Sequence, residues 1–384
     1  MSSPSRVAHT TDILHVIFSH ISDGKDLTSL LRTSPLFFDL IAQRLYRSLP
    51  ISNLLNPLSV VCSGGRGRPY GKNNLLDLVQ TVVVERAPLP FGQSPWGNGF
   101  ILRPLPAVET VIIHPADRNA RQEGGEDTTL PNSALIELLC PTATRLHIST
   151  PWFPPGARCG RSMPSLPDLE TLVVKANARE ITELNYVVEL LCLGENGEQP
   201  PWYYVINAVH ILLWGDLVYP EATLQRFDWG KDCVDQLAMR ELILSTNAHL
   251  QELLFHNLCE IAKQLGTLFS IDELWLYNAD TMLERLSKWT KGLKVDDMKA
   301  RVERAFGEER KTFWQTGLEF YEAFGDLSAR DETEEWYHSA VLAPSPNLVS
   351  LRARLAAKTK FPADSFVALT EREAEQMLAK FSSN

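Results

Sequence analysis

The chain has 384 residues, 44% of them hydrophobic and 22% charged, the composition of a folded protein with one large or two unequal domains, and this argues against a disordered chain. Its net charge of −10 argues against a general nucleic-acid binder, whose phosphate contacts need a face rich in lysine and arginine. No apolar run reaches the roughly 18 residues of a membrane span, and the start MSSPSRVAHTT lacks the basic, apolar and small-residue order of a signal peptide. The expected location is therefore the cytoplasm or nucleus, off the membrane. Cys62, Cys140, Cys159, Cys192, Cys233 and Cys259 are scattered, with no C-x-x-C pair and no histidine at zinc spacing, so they are expected as reduced core thiols and not as metal ligands.

The first elements fall within residues 11–49. Thr11 is placed to cap a helix whose Ile13, Leu14, Ile17, Phe18 and Ile21 make one broad apolar face. Gly24 in SDGKD breaks it, and Leu27, Leu30 and Leu31 form a second short helix. Thr33, Ser34 and Pro35 stop that helix and open a third, since a capping hydroxyl followed by proline suits a first helical turn. Phe37, Phe38, Ile41, Leu45 and Tyr46 are expected on its buried side. Three helices in about 40 residues enclose little core, so such a unit leans on another surface, either its own chain or a partner.

The stretch DILHVIFSHISDGKDLTSLLRTSPLFFDLIAQRLYRSL resembles an F-box of the fungal type, in which a helix of the form E/D-I-L-x-x-I-F leads to one ending in L-Y-R. The family opens with Leu-Pro just ahead of this helix, where His9 and Thr10 stand here. The resemblance implies that residues 1–50 dock on the Skp-type linker subunit of an SCF ubiquitin ligase, and through it on the cullin scaffold. It places that contact on Ile13, Leu14, Ile17, Phe18, Leu27, Leu30, Leu31, Phe37 and Ile41. The alternative reading of the same residues is a three-helix cap packed on the following domain.

Residues 51–75, with SGGRGRPYGKN, read as a glycine-rich joint. That segment approaches a phosphate-binding loop but has Arg66 where a glycine is needed and Asn73 in place of the magnesium-binding Ser or Thr. From 76 onward a short unit recurs: VQTVVV (79–84), VETVII (108–113), ATRLHI (143–148), LETLVV (169–174), INAVHI (206–211), LQELLF (250–255), IDELWL (271–276) and LVSLRA (348–353). Helical stretches such as SALIELLC, ITELNYVVELLCL and CVDQLAMRELILS fall between them. One strand, one loop and one helix per repeat is the leucine-rich-repeat plan, here with uneven spacing and no asparagine ladder. The expected fold class is therefore α/β: a three-helix F-box followed over 76–384 by an irregular solenoid similar to leucine-rich repeats.

In each unit the fourth and sixth residues are apolar and face inward, so the third and fifth face outward on the sheet. That surface carries Arg145, His147, His210, Glu252, Glu273 and Trp275, with Tyr277 one alternation later. Aromatic and charged groups together on a sheet are hot-spot material, and these seven residues are the candidate contacts for a target protein. Their other readings are solvated strand residues, or residues covered by an insertion. The insertion is expected over 277–347. There Leu283, Leu286, Trp289 and Leu293 keep helical spacing, and Phe313, Trp314, Leu318, Tyr321 and Phe324 form a stripe in ERKTFWQTGLEFYEAF. It reads as an added helical layer or as a partner-binding helix. An acidic loop, GDLSARDETEEW, follows it, and Pro- and Gly-rich loops interrupt the repeats elsewhere. Thr370 and Glu373 fit a capping box that opens a last helix to about Phe381.

No G-x-S-x-G, H-E-x-x-H or kinase signature occurs. The expectation is thus a non-catalytic chain with no cofactor, metal or nucleic acid: a substrate-recognition subunit of an SCF-type ligase, or a solenoid scaffold outside such a complex.

Overall fold

A computed structural model describes residues 11–21, 24–51, 72–84, 104–114, 132–149, 166–177, 181, 184–185, 188, 206–215, 252–268, 270–289, 293–324, 344–359, 366 and 371–382. The chain divides into two compact units. The first holds Met1–His114, Arg121–Leu146 and Pro164–Leu169, and the second holds Pro115–Ala120, His147–Met163 and Glu170–Asn384. Eight strands form one sheet in chain order: β1 (Ser48–Ile51), β2 (Thr81–Val84), β3 (Thr110–Ile113), β4 (Arg145–Ser149), β5 (Thr171–Asn177), β6 (Ala208–Trp214), β7 (Glu273–Tyr277) and β8 (Lys311–Gln315). The pairs β1–β2, β2–β3, β5–β6, β6–β7 and β7–β8 are parallel. The α/β class expected from the sequence is what the chain adopts.

The first unit opens with α1 (Thr11–Ser19), α2 (Gly24–Leu31) and α3 (Pro35–Leu45). Leu14 and Phe18, one turn apart on α1, meet Leu27 of α2 and Leu40 and Ile41 of α3 in a small core of their own. Phe18 and Phe37 touch edge to face, centroids 5.2 Å apart. The Arg44 guanidinium donates to the Phe18 carbonyl and so closes the end of α1. The capping signal read at Ser34 is realised: its hydroxyl accepts the Leu36 N–H at 3.2 Å, with Pro35 at the first helical position. The buried side of α3 is Leu40, Ile41 and Ala42, whereas Phe37, Phe38, Leu45 and Tyr46 are half-buried. β1 starts at Ser48, so the sheet begins ahead of the 51–75 stretch and not after it. Residues 52–71 of that stretch lie outside the described residues.

A fixed step then recurs. An apolar residue at a turn is followed three residues later by a second whose N–H donates back to it: Val79 to Leu76, Val108 to Leu105, Ala143 to Cys140 and Leu169 to Leu166. The next strand is docked by one carbonyl that accepts two successive N–H groups. Arg47 accepts from Gln80 and Thr81, Gln80 from Glu109 and Thr110, and Glu109 from Thr144 and Arg145. The alternating strand residues that follow, Val82 and Val84, Val111 and Ile113, Leu146 and Ile148, are buried. Proline follows the turn residue in LPAV (105–108), CPTA (140–143) and LPDL (166–169), where it fixes the turn without forfeiting a ladder bond. Helices α4 (Lys72–Leu76) and α5 (Asn132–Leu139) complete this unit.

The second unit repeats the step. Ile271 donates to Leu268, Glu170 accepts from Asn207 and Ala208, and Asn207 accepts from Asp272 and Glu273. Leu172, Val174, Val209, Ile211, Leu274 and Leu276 form its fully buried inner row. Two segments with the six-residue pattern are not strands. The last four residues of LQELLF begin α6, a helix over 252–266, and LVSLRA lies in α10 (Pro346–Thr359). In both, burial continues at helical spacing: Leu254, Leu258, Ile261 and Leu265 in α6; Leu348, Leu351 and Leu355 in α10. The region expected as a helical insertion is helical in α7 (Ala279–Trp289), α8 (Val295–Phe306) and α9 (Gly317–Phe324), but KTFWQ between the last two is strand β8. Phe313 and Trp314 therefore belong to a strand, and Leu293 lies outside any helix. Gly266 ends α6 against the end of α8, where an added Cβ would sit 2.4 Å from the Phe306 carbonyl oxygen. Helices α10 and α11 (Glu371–Ser382) share a separate core of Leu348, Leu351, Leu355, Phe366, Ala374, Met377 and Leu378. The last helix is present as expected, while Thr370 lies outside the described residues, as do 216–250 and 325–343.

Candidate functional site

Two surfaces collect the residues singled out in the sequence. On the N-terminal helices, Leu14, Phe18, Leu27 and Ile41 are the unit's own interior, with Leu30, Leu31 and Phe37 packed half-buried against them. These residues hold the three helices together. Ile13 and Ile17 are open to solvent, at 42% and 44% exposure, and between them Val16, outside the apolar face expected from the sequence, is 61% exposed. Ile13, Val16 and Ile17 occupy i, i+3 and i+4, one strip along the outer side of α1. The sequence signal was present, since three more apolar residues than a single buried stripe requires crowd this short helix.

The second surface is the outward face of β5–β8, whose register is regular. Thr171, Ala208, Glu273 and Lys311 form one row across the strands; Val173, His210, Trp275 and Phe313 the next; Lys175, Leu212, Tyr277 and Gln315 the third. His210, Glu273, Trp275 and Tyr277 thus share a face, as the alternation implies. His147 on β4 meets helix α9: its ring lies edge-on to Phe324, centroids 5.5 Å apart. Arg145 is exposed at the start of β4, in the first unit. Glu252 does not belong to the face, because it sits at the start of α6.

Helix α9 covers the third row. Its first turn is built by Thr316 and Glu319, a capping box in which the Glu319 carboxylate accepts the Thr316 N–H at 2.6 Å and the Thr316 hydroxyl receives the Glu319 N–H at 3.3 Å. The Thr316 N–H and the Thr316 hydroxyl, which also donates to this carboxylate at 2.9 Å, hold the Glu319 carboxyl below its ordinary range. The Asn278 side chain accepts the Gly317 N–H at 2.8 Å and donates to the Leu213 carbonyl at 3.3 Å, joining β6, β7 and the helix start. Thus anchored, α9 inserts Phe320, fully buried, among Val173, Leu212 and Tyr277, with the Lys175 ammonium 5.7 Å from its ring centre.

Tyr277 at 3% and His147 at 2% exposure are consequently interior residues and not contacts for a macromolecule. Burial, with the Glu319 charge as the smaller cause, pushes the Tyr277 phenol up to about 12, so it stays protonated, and its hydroxyl lies 3.0 Å from His210 Nδ1.

The first and second rows stay partly open. Trp275 is half-buried, stacked between Phe313 at 4.0 Å and His210 at 5.4 Å, and its indole N–H donates to Glu273 at 3.1 Å. Phe313 is not legible in the sequence as a strand residue, because it also fits a helical stripe with Leu318 and Tyr321. The Thr316-x-x-Glu319 box, which starts a helix only after residue 316, was the signal that separates them. This face can bind flat or apolar groups through its ring edges and accept a hydrogen bond at Glu273. Among the described residues no group of His, Cys, Asp and Glu has the arrangement of a metal site, and no helix is long and apolar enough to cross a membrane. Comparison of the chain with protein-family models, with curated proteins and with solved structures gave no match.

Proposed function

We propose that this chain is the substrate-recognition subunit of an SCF-type ubiquitin ligase, with α1–α3 as an F-box and the strand-bearing region as an irregular solenoid similar to leucine-rich repeats. The observation that carries the reading is the strip of Ile13, Val16 and Ile17, exposed on a helix whose other side already closes a core. A three-helix unit that buries Leu14 and Phe18 internally has no structural use for three more exposed aliphatic residues, and a linker subunit would cover them. The repeat step supports the second half of the proposal, since it presents two partly open rows of side chains, Glu273 in one and Trp275 and Phe313 in the next, to a target. The work would be positional: raising the effective concentration of target lysines near a ubiquitin-loaded enzyme, with no chemistry done by this chain.

The test is co-purification of the full chain with Skp-type linker and cullin subunits from cells, for the wild type and for Val16→Asp with Ile17→Asp. Recovery by the wild type and loss by the variant, with thermal unfolding unchanged, is expected. A wild type that recovers neither subunit would sink the proposal. One observation favours the rival scaffold reading: α3 passes into β1 after residues 46–47 alone, as a cap on the first strand would. In that case the same aspartates would lower the melting temperature.

A further inference from the structure

β8 ends the sheet, and its hydrogen bonds fix which of its backbone groups remain outside. Lys311 donates to the Asp272 carbonyl at 3.0 Å, and the Gln315 carbonyl accepts from Asn278 at 2.9 Å. Lys311, Phe313 and Gln315 thus turn their backbone groups to β7, and by alternation Thr312 and Trp314 turn theirs outward. Among the described residues no strand takes up that edge. The opposite edge strand is blunted. On β1, Arg47 bonds to β2, so position 50 is an outward one, and Pro50 stands there with no N–H to give. β8 has no proline, and Lys311 at its start is its only charge. Its central residues Phe313 and Trp314 point to opposite faces and are both half-exposed.

We propose that β8 is a self-pairing edge, on which two copies of this chain associate antiparallel about a two-fold axis at Phe313. The outward residues Thr312 and Trp314 are symmetric about Phe313. In this register Thr312 of one copy therefore exchanges both of its backbone bonds with Trp314 of the second, and the reverse. Phe313 then faces its own copy as a non-hydrogen-bonded pair, the type in which side chains approach most closely. Lys311 falls opposite Gln315, so no like charges meet. The stack of His210, Trp275 and Phe313, already spaced 5.4 and 4.0 Å, continues across the axis onto the second Phe313. A strand whose two outward residues, Thr312 and Trp314, flank a central inward Phe313 is self-complementary, the requirement of an isologous interface.

The test is sedimentation velocity of the full chain over a micromolar concentration series. A monomer–dimer equilibrium is expected for the wild type. Phe313→Glu and Phe313→Lys, each of which sets like charges on the axis, should sediment as monomers, and an equimolar mixture of the two should recover the dimer as a heterodimer. Thr312→Pro removes an outward donor, keeps the bonds to β7, and should raise the dissociation constant about ten-fold or more. A wild type that stays monomeric throughout overturns the proposal, and so do charged variants that dimerise like the wild type or a mixture that stays monomeric. Should the Phe313 variants fail to fold, Thr312→Pro decides, because undiminished dimerisation there places the interface elsewhere. An extended segment of another protein using this edge would leave the purified chain monomeric, and so counts as refutation.

Discussion

The indole of Trp275 lies flat on the ring of Phe313, with centroids 4.0 Å apart and planes 16° from parallel, one strand from the edge of the sheet. Both rings are half-buried, whereas Phe320 on the helix above is fully enclosed. Truncation should separate these environments. Phe320→Ala is expected to cost about 3–5 kcal/mol of unfolding free energy, the cost of emptying an enclosed aromatic site. Trp275→Ala should cost about half that, since much of its surface is wet before truncation. Denaturant unfolding measures both. Equal costs would place Trp275 in the core and remove it from the target surface. If the smaller cost is found, loss of captured target by Trp275→Ala then reports on binding.

Asn278 adopts φ 62°, among the described residues the only one other than glycine with positive φ, and its side chain bonds both Leu213 and Gly317. Asparagine tolerates this left-handed backbone, and alanine does not at a cost of roughly 1–2 kcal/mol. Asn278→Ala loses that tolerance and both bonds, whereas Asn278→Gly loses only the bonds. The alanine variant should therefore unfold at lower denaturant than the glycine variant, by about 1 kcal/mol. The reverse order would show that residue 278 does not hold the left-handed conformation in solution, since the side-chain bonds are lost in both variants.

The strands at 81–84, 110–113, 145–149, 171–177, 208–214 and 273–277 were legible because apolar residues alternate there and then stop. LQELLF and LVSLRA carry the same six-letter alternation, but their apolar residues go on at helical spacing, through Leu258, Ile261 and Leu265 in one case and Leu355 in the other. Six residues are too short a window to tell the two periods apart. The deciding signal lies upstream, in the turn residue three positions ahead that Leu76, Leu105, Cys140, Leu166 and Leu268 supply. β8 was illegible for a different reason. As an edge strand it is half-exposed on both faces, so Thr312, Phe313 and Trp314 show no alternation to read. On the site itself, the row of His210 and Trp275 followed from parity alone. That Tyr277 and His147 are covered did not, because the cover comes from α9, whose placement depends on tertiary contacts through Asn278 and Phe320.

Glu319 gives α9 a dependence on pH. Its carboxyl is held below the ordinary range by the Thr316 N–H and hydroxyl, so the folded state favours the charged form. A group with a depressed folded pKa contributes stability above its unfolded value, near 4.3 for glutamate, and loses it as the pH falls through the lower folded value. Glu319→Ala should therefore melt below the wild type at neutral pH, and the gap should close as the solution is acidified past that range. A gap independent of pH would mean that the capping box does not form.

Cys140 and Cys259 offer a direct test of the first unit's packing. Cys140 occupies a turn position that is leucine in the neighbouring repeats and is fully buried, which pushes its thiol up to about 12. Cys259 on α6 is half-buried. Burial also raises its thiol, but the Arg301 guanidinium pulls it back, with Glu260 acting weakly in the other direction. Only the thiolate reacts with an alkylating agent, and only where the agent can reach it. At about pH 8, Cys259 should be modified in the folded protein, while Cys140 should react only as fast as the surrounding turn opens. Peptide mass mapping after timed alkylation distinguishes the two sites. Denaturant should bring their rates together, because unfolding removes both the burial and the Arg301 contact. Comparable rates in the native protein would show that the Cys140 turn is not docked, and that the repeat step is broken at the one position where a thiol replaces a larger aliphatic side chain.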